Sequence, residues 1–183
     1  CRPGEVLVGT DSHTTTHGAF GTFSTGIGAT EMAAVWATGK LWMMVPESFK
    51  VVVKGKMPDG VYSKDLILHL IGKLGADGAD YRSVEFVGET IDAMSIASRM
   101  VLTNLSMEMG AKAAMIPPDQ KTIDYVKSVT SKPFEVVLPD PDAVYARVID
   151  IDVTNLEPQI ACPHMVDNVK PVSALAGLPI HQA

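Results

Sequence analysis

Short apolar runs alternate with stripes of apolar residues at helical spacing along the chain. The runs, rich in β-branched residues, predict strands at 5–9, 49–53, 83–87, 113–116, 134–138 and 146–153. The stripes, with apolar positions three and four apart, predict helices at 29–41, 63–74, 95–109 and 119–129. Because strands and helices alternate without an internal repeat, the pattern predicts an α/β layer fold.

The pattern weakens towards the end of the chain. Residues 1–155 are predicted to form one α/β unit, or two subdomains that share a core, because 183 residues can bury one substantial core. Residues 156–183 contain prolines and lack helical stripes, which predicts an irregular connector. Trp36 and Trp42 are predicted to pack in the core and at its rim.

The stretch VGTDSHTTTHGAFGTFSTGIGATE, residues 8–31, predicts a strand, a polar loop, a glycine-rich turn and then a helix. Asp11, Ser12 and His13 place a carboxylate, a hydroxyl and an imidazole beyond the predicted strand, where open α/β sheets bind ligands. Such groups hold and move protons, and the amides that begin a helix favour an anion. The stretch therefore indicates an acid–base site for an anionic small molecule.

Two other interpretations of the same stretch stay open. The polar residues and glycines are also typical of a loop in which Asp11 or Ser12 caps a turn. Asp11, His13 and His17 are all possible zinc ligands, which would indicate a zinc-dependent hydrolase, although their spacing is not that of a standard zinc motif.

A second polar pair lies on the predicted helix 95–109. Asn104 and Glu108 are four residues apart and therefore share a helix face. A carboxylate near a helix C-terminus opposes the helix dipole, which indicates an electropositive neighbour for Glu108. The alternative is a solvated Glu108 that forms a salt bridge with Lys112 on the next turn.

Composition narrows the class of protein. The net charge of −6 and the lack of a lysine- or arginine-rich run argue against a nucleic-acid partner. The longest apolar run is too short to span a membrane. Cys1 and Cys162 are the two cysteines and form no C-x-x-C pair, so a reducing, cytoplasmic location is expected.

Three motifs carry a resemblance to a known family. They are GTDSHTTTHGAFGTFSTGIGATEMA at residues 9–33, NLSMEMGA at 104–111 and LEPQ at 156–159. Together they resemble the aconitase family, and within it the large subunits of the 3-isopropylmalate dehydratase and homoaconitase branch. The resemblance covers essentially the whole chain. It implies an aconitase-like, three-layer α/β/α fold with a mixed or mostly parallel sheet.

The resemblance also implies an activity. Enzymes of this family are hydro-lyases that isomerise a hydroxy di- or tricarboxylic acid by dehydration and rehydration at a [4Fe–4S] cluster. Asp11, His13 and Glu108 are then expected to be catalytic, in the polar network around the substrate and the iron-bound water. Ser12 and Asn104 are expected to be substrate-binding residues, Ser12 through a hydrogen bond at the same place and Asn104 through a hydrogen bond near the cluster. The branch implies amino-acid biosynthesis, including that of leucine.

The chain departs from the family pattern in its cysteines. The resemblance implies three cluster cysteines, the first just beyond a segment like residues 178–183, and neither Cys1 nor Cys162 matches them. The chain is therefore expected to be an internal piece of a large subunit. Alone it is expected to bind no cluster and to be inactive, and it would act with the rest of that subunit and a separate small subunit. The remaining alternative is a non-catalytic interaction domain related to aconitase.

Overall fold

The computed structural model of the chain describes residues 1–180. Predictions for the last three residues, which end the segment 156–183, lie outside the described residues. The strands are β1 (Val6–Gly9), β2 (Phe23–Gly26), β3 (Ser48–Lys54), β4 (Ser83–Val87), β5 (Ala113–Met115), β6 (Arg147–Asp152), β7 (Gln159–Ala161) and β8 (Val169–Pro171). The α-helices are α1 (Ala29–Thr38), α2 (Ser63–Leu74), α3 (Glu89–Ala93), α4 (Ile96–Leu105) and α5 (Gln120–Val129). The first, second and third 3₁₀ helices are Ser12–Phe20, Ser106–Met109 and Val172–Leu175.

A four-stranded parallel sheet forms the centre of the fold. Its order is β5-β4-β3-β6, and every neighbouring pair of its strands is parallel. The α/β class and the mostly parallel sheet expected from the sequence are therefore confirmed. β1 and β2 form a separate parallel pair, and β7 and β8 an antiparallel pair.

The main hydrophobic core lies on one face of the central sheet. Val51 and Val53 of β3 and Val84 of β4 are fully buried and pack with Leu66 and Ile71 of α2. Each such side chain stabilises the fold by about 1.5–3 kcal/mol relative to leaving it in water. α4 packs against α2 and against the first 3₁₀ helix, so this core holds the elements that carry the site.

The polar loop predicted after β1 is a nine-residue 3₁₀ helix. Runs of 3₁₀ helix longer than about three or four residues are uncommon because their hydrogen bonds are poorly aligned. Here side chains add bonds to carbonyls three residues back. The hydroxyl of Thr14 donates to Asp11, that of Thr16 donates to His13, and Nδ1 of His17 bonds the carbonyl of Thr14.

The glycine-rich segment after this helix is not only a turn. Gly21, in the left-handed region at φ 69°, ends the 3₁₀ helix, and Phe23–Gly26 then forms β2 beside β1. The prediction of a glycine-rich turn throughout this segment was wrong. β2 forms because the 3₁₀ helix returns the chain alongside β1, a long-range pairing that periodicity does not reveal.

The predicted helix 95–109 has two parts, α4 and the second 3₁₀ helix. The hydroxyl of Ser106 donates to the carbonyl of Leu102 at 2.8 Å and competes with the regular helical pattern at the junction. Gly110, at φ 83°, ends the second part. Asn104 and Glu108 therefore do not lie on one continuous α-helical face as expected.

Two predictions about β structure near the end of the chain were wrong. Residues 134–138 form no strand, because no neighbouring strand pairs with them, and Val137 and Leu138 are 59% and 57% exposed. Residues 156–183 were predicted to be irregular but contain β7, β8 and the third 3₁₀ helix. These strands are only three residues long, too short for a pattern. The division of domains at residue 155 stays a prediction.

Helix α1, which carries Trp36, is shorter and more exposed than predicted. α1 ends at Thr38 because Gly39 adopts a left-handed φ of 67°. Trp36 and Trp42 are 82% and 85% exposed, so the prediction that they pack in the core was wrong. Among the described helices, none has the length and apolar character needed to cross a membrane.

Candidate active site

The structure brings the two polar clusters of the sequence together. Nε2 of His13 lies 3.1 Å from Oε1 of Glu108, across a sequence separation of 95 residues. His13 lies on the first 3₁₀ helix, and Glu108 lies on the second. Their side chains are 37% and 35% exposed, so the pair is accessible to a small molecule but partly shielded from water.

Asp11 is the N-cap of the first 3₁₀ helix. Its Oδ1 accepts a hydrogen bond of 2.7 Å from the backbone N–H of His13 and lies 3.8 Å from Nδ1 of that ring. The side chain of Asp11 is 79% exposed. Asp11 therefore fixes the backbone at His13 and leaves its second carboxylate oxygen towards solvent or a ligand.

The hydroxyl of Ser12 lies 3.2 Å from Nδ1 of His13. An ionised Glu108 only accepts hydrogen bonds, so Nε2 of a neutral His13 carries the proton and Nδ1 accepts from Ser12. If the imidazole is protonated, both ring nitrogens donate. Ser12, His13 and Glu108 therefore form a chain of groups along which a proton can be held or moved.

Asn104 is connected to His13 through Thr16. The amide Nδ2 of Asn104 donates to Oγ1 of Thr16 at 2.8 Å, and the Thr16 hydroxyl donates to the carbonyl of His13 at 2.6 Å. The hydroxyl of Thr103 also donates to the carbonyl of Thr16 at 2.9 Å. These bonds join α4 to the first 3₁₀ helix and set the position of His13 relative to Glu108.

Sequence reasoning missed Thr16 as part of this network. Its signal was the run of three threonines after His13, each a residue type that bonds backbone carbonyls nearby in sequence. The partner of Thr16 on α4 could not be identified from spacing, because 88 residues separate it from Asn104.

A close backbone approach seats the first 3₁₀ helix against the central sheet. A Cβ atom at Gly18 would lie 1.6 Å from the carbonyl oxygen of Ala114 in β5. The backbone N–H of Ile116 also donates to the carbonyl of Gly18 at 3.0 Å. Only glycine fits this contact, which explains the residue type that follows His17.

The zinc interpretation finds no support in the arrangement of ligands. Nδ1 of His17 bonds the Thr14 carbonyl at 2.9 Å, whereas His13 turns towards Glu108. Within residues 1–180, no group of three or more histidine, cysteine, aspartate or glutamate side chains is placed to hold a metal ion.

The alternative salt bridge between Glu108 and Lys112 does not form. The ammonium group of Lys112 instead lies 3.3 Å from the carbonyl oxygen of Gly26 and 5.5 Å from the ring centre of Tyr81. Lys112, Ser12 and Gly28, the N-cap of α1, line a cleft of about 370 Å³. The carboxylates of Glu31 and Asp80 line the same cleft, and Glu31 already accepts a hydrogen bond of 2.7 Å from the backbone N–H of Gly28, so the charges around the cleft are mixed.

Comparison with known families agrees with the motifs and this geometry. The model of the aconitase family (aconitate hydratase) matches residues 1–182. The chain belongs to the aconitase family. Two of the stretches that carry the resemblance in the sequence, residues 9–33 and 104–111, meet at His13 and Glu108 in the structure.

Several curated proteins of the aconitase family are similar to the chain along nearly its whole length. It is 56% identical over 180 residues to a probable 3-isopropylmalate dehydratase large subunit of Methanothermobacter thermautotrophicus, covering 98% of the chain and 43% of that protein. It is 53% identical to a probable methanogen homoaconitase large subunit of Methanosarcina mazei, covering 98% of the chain and 46% of that protein. It is also 53% identical to the 3-isopropylmalate dehydratase large subunit 1 of Methanopyrus kandleri, covering 99% and 43%. The chain spans less than half the length of these relatives.

The cysteines of this aconitase-family chain do not form a cluster site by themselves. Cys1 is exposed and Cys162 is half-buried, and both are free thiols. A [4Fe–4S] cluster of the kind implied by the resemblance needs three cysteine ligands. The chain contains two cysteines in total, so it does not supply the ligand set.

Proposed function

We propose that this chain is part of the large subunit of a hydro-lyase that isomerises a hydroxy di- or tricarboxylic acid, of the 3-isopropylmalate or homocitrate type. The reaction removes water across two neighbouring carbons and adds it back in the opposite sense. The main support is the 3.1 Å contact between Nε2 of His13 and Oε1 of Glu108, which joins two family motifs in one acid–base site.

In this proposal Glu108 and His13 handle the proton at the leaving hydroxyl. When water is removed, protonated Glu108 gives its proton to the leaving hydroxyl and becomes a carboxylate that accepts from the Nε2–H of His13; when water adds back, Glu108 takes the proton again. The proton on the neighbouring carbon is taken by a base that would come from protein outside these 183 residues. Ser12 donates to His13 and offers its oxygen lone pairs to the substrate. Asp11 holds the backbone beneath them and contributes its exposed carboxylate to the same polar network.

We also propose that the complete enzyme uses a [4Fe–4S] cluster held by cysteines outside this chain. The cluster would supply Lewis-acid activation of the substrate. No residue of this chain is assigned as its ligand, because the two cysteines do not make a ligand set. Asn104 acts in this scheme by positioning His13 through Thr16 and not only as a donor near the cluster.

The names of the relatives support a larger assembly. Each is named a large subunit, and we propose that this chain works with the rest of such a subunit and with a separate small subunit in the cytoplasm. The 183 residues alone are then inactive, because the remaining substrate-binding groups come from outside them.

The test is an assay of the complete large subunit, purified without oxygen together with its small subunit. We expect 3-isopropylmalate or homocitrate to be dehydrated, with ultraviolet absorbance of the unsaturated acid as the measurement. The isolated chain under the same conditions serves as the comparison and is expected to show no turnover. The proposal would be refuted if the complete enzyme, with its cluster spectroscopically intact, acted on neither acid.

A further inference from the structure

The start of α2 forms one side of the space around Glu108 and Asn104. Lys64, Glu108 and Gln159 line a hollow of about 460 Å³. Lys64, Asn104 and Thr16 line a neighbouring hollow of about 380 Å³. Lys64 and Leu105 line both hollows, so the two hollows are adjacent, and Lys64 shares one with Glu108 and the other with Asn104.

Lys64 is the only cationic residue among those that line these two hollows. The remaining walls are largely apolar, built by Leu68, Leu105, Ile160 and Val166. Lys64 is exposed, and within the described residues its ammonium group makes neither a salt bridge nor a hydrogen bond. A flexible cation in this position is available to a ligand.

The position of Lys64 on its helix is electrostatically unfavourable. It is the second residue of the 12-residue helix α2, where the helix dipole disfavours a positive charge. A carboxylate bound at this place would interact favourably both with the ammonium group and with the N-terminus of the helix. A bound anion therefore offsets the unfavourable interaction between the Lys64 charge and the helix dipole.

The backbone beside Lys64 is rigidly placed. One oxygen of Asp65 accepts from the backbone N–H of Tyr62 at 2.7 Å, and the other accepts from the backbone N–H of Gln159 at 2.8 Å. Asp65 thereby joins the start of α2 to the start of β7. The LEPQ motif ends at Gln159, and this contact holds that residue in the wall of the hollow that contains Glu108.

We propose that Lys64 binds a carboxylate of the substrate in the space next to Glu108. The proposal rests on the proposed function, because a di- or tricarboxylic acid must be held close to the carboxylates of Asp11 and Glu108. Their negative charges repel such a substrate, and Lys64 compensates for that repulsion. Lys64 is a binding residue in this scheme and takes no part in proton transfer.

Substitution of Lys64 in the complete two-subunit enzyme tests this role. Lys64→Gln is expected to raise KM for the hydroxy acid by about 10- to 100-fold, the size of a lost charge-assisted hydrogen bond, with a smaller change in kcat. Lys64→Arg keeps the charge and is expected to restore most of the affinity. Lys73→Gln removes an exposed lysine at the other end of α2 and is expected to leave KM unchanged.

A measurement on the unmodified enzyme avoids dependence on how the variant folds. A saturating hydroxy acid is expected to protect Lys64, but not Lys73, from acetylation by acetic anhydride, as read by mass spectrometry. Unchanged KM in Lys64→Gln, or equal labelling of Lys64 with and without the acid, would overturn the assignment. If the unmodified enzyme dehydrates neither acid, the proposed function itself fails, which separates the two outcomes.

Discussion

The imidazole of His13 and the carboxylate of Glu108 lie 3.1 Å apart, although 95 residues separate them in the chain. Both lie on 3₁₀ helices, and Thr103 and Asn104 of α4 bond to Thr16 on the helix that carries His13. The contact therefore depends on the packing of α4 against the first 3₁₀ helix, and its loss is expected to affect activity before stability.

Glu108→Gln removes the carboxyl group that we propose exchanges a proton with the substrate, and it keeps the shape of the side chain. We expect turnover of the complete enzyme to fall by about 10²-fold or more, the range for an acid–base residue, with little change in thermal stability. Glu135→Gln, on an exposed loop, removes the same charge as a control. Near-normal turnover in Glu108→Gln would show that the contact with His13 is structural.

Asp11→Asn separates the charge of Asp11 from its capping role. The amide oxygen of asparagine can still accept from the backbone N–H of His13, so the fold is expected to be unchanged. Because the exposed carboxylate belongs to the proposed polar network around the substrate, we expect turnover to fall by about 10²-fold or more. Steady-state kinetics of the complete enzyme measures this, and full activity would restrict Asp11 to capping.

Thr16→Val removes the hydroxyl that connects Asn104 to the carbonyl of His13. We expect kcat to fall by about 3- to 10-fold, the equivalent of one neutral hydrogen bond, with a smaller effect on KM. Thr16→Ser retains the hydroxyl and is expected to recover most of the activity. Thr22→Val removes a hydroxyl bond to Arg2 outside the site and is expected to leave kcat unchanged. Equal loss in the valine and serine variants would contradict a positioning role for the hydroxyl.

Gly18→Ala tests the contact between the first 3₁₀ helix and β5. The added methyl group meets the carbonyl oxygen of Ala114, which must move, so we expect a loss of about 3 kcal/mol or more in the free energy of unfolding. Gly28→Ala meets only the end of the Glu31 side chain at 3.4 Å and is expected to cost about 1 kcal/mol or less. Urea unfolding of both variants compares them directly, and similar costs would be inconsistent with the contact.

The buried guanidinium of Arg99 holds the pKa of Asp119 at about 2, below its ordinary value of 3.8. Arg99 is 1% exposed and lies within hydrogen-bonding distance of both oxygens of Asp119. Because the folded state lowers this pKa, the carboxylate's contribution to stability is complete above about pH 4–5 and is lost as the pH falls towards 2. The contribution is about 1 kcal/mol once solvent screening of a carboxylate that is 36% exposed is allowed for.

Asp119→Asn keeps the cap on α5 and removes the charge opposite Arg99. We expect the variant to be less stable than the unmodified chain by about 1–3 kcal/mol at neutral pH, since it leaves a buried cation without its counter-charge. The difference should shrink as the pH falls from about 5 to 2. Urea unfolding across that range measures it, with Asp142→Asn on an exposed loop as the control. A difference independent of pH would contradict the lowered pKa.

The sequence was most informative where local patterns act alone. Apolar runs and stripes located β3, β4, α2 and α5 to within a residue or two, because burial on one face imposes the period of each element. They failed at residues 134–138, where an apolar run has no partner strand, and at β7 and β8, which are too short to have a period. Whether a segment pairs in a sheet depends on a distant neighbour that the segment itself does not encode.

The candidate site also has features that the local sequence indicates and features that only the packing of the elements determines. Asp11, His13 and Glu108 were recognisable from residue type and motif. The part played by Thr16 was missed, although threonine is a residue type that often bonds backbone carbonyls nearby. The bond from Asn104 to Thr16 and the place of the Lys64 cation could not be recognised from the sequence. Each depends on how α4 and α2 pack beside the first 3₁₀ helix.

By itself the sequence determined the α/β class, the family and the polar residue types of the site. These follow from periodicity and local chemistry, which are properties of neighbours in the chain. Only the tertiary structure decided which polar groups meet, because the distance of 3.1 Å between His13 and Glu108 is set by core packing across 95 residues. The same packing, and not the local sequence, left both tryptophans on the surface and turned the predicted polar loop into a 3₁₀ helix between two parallel strands.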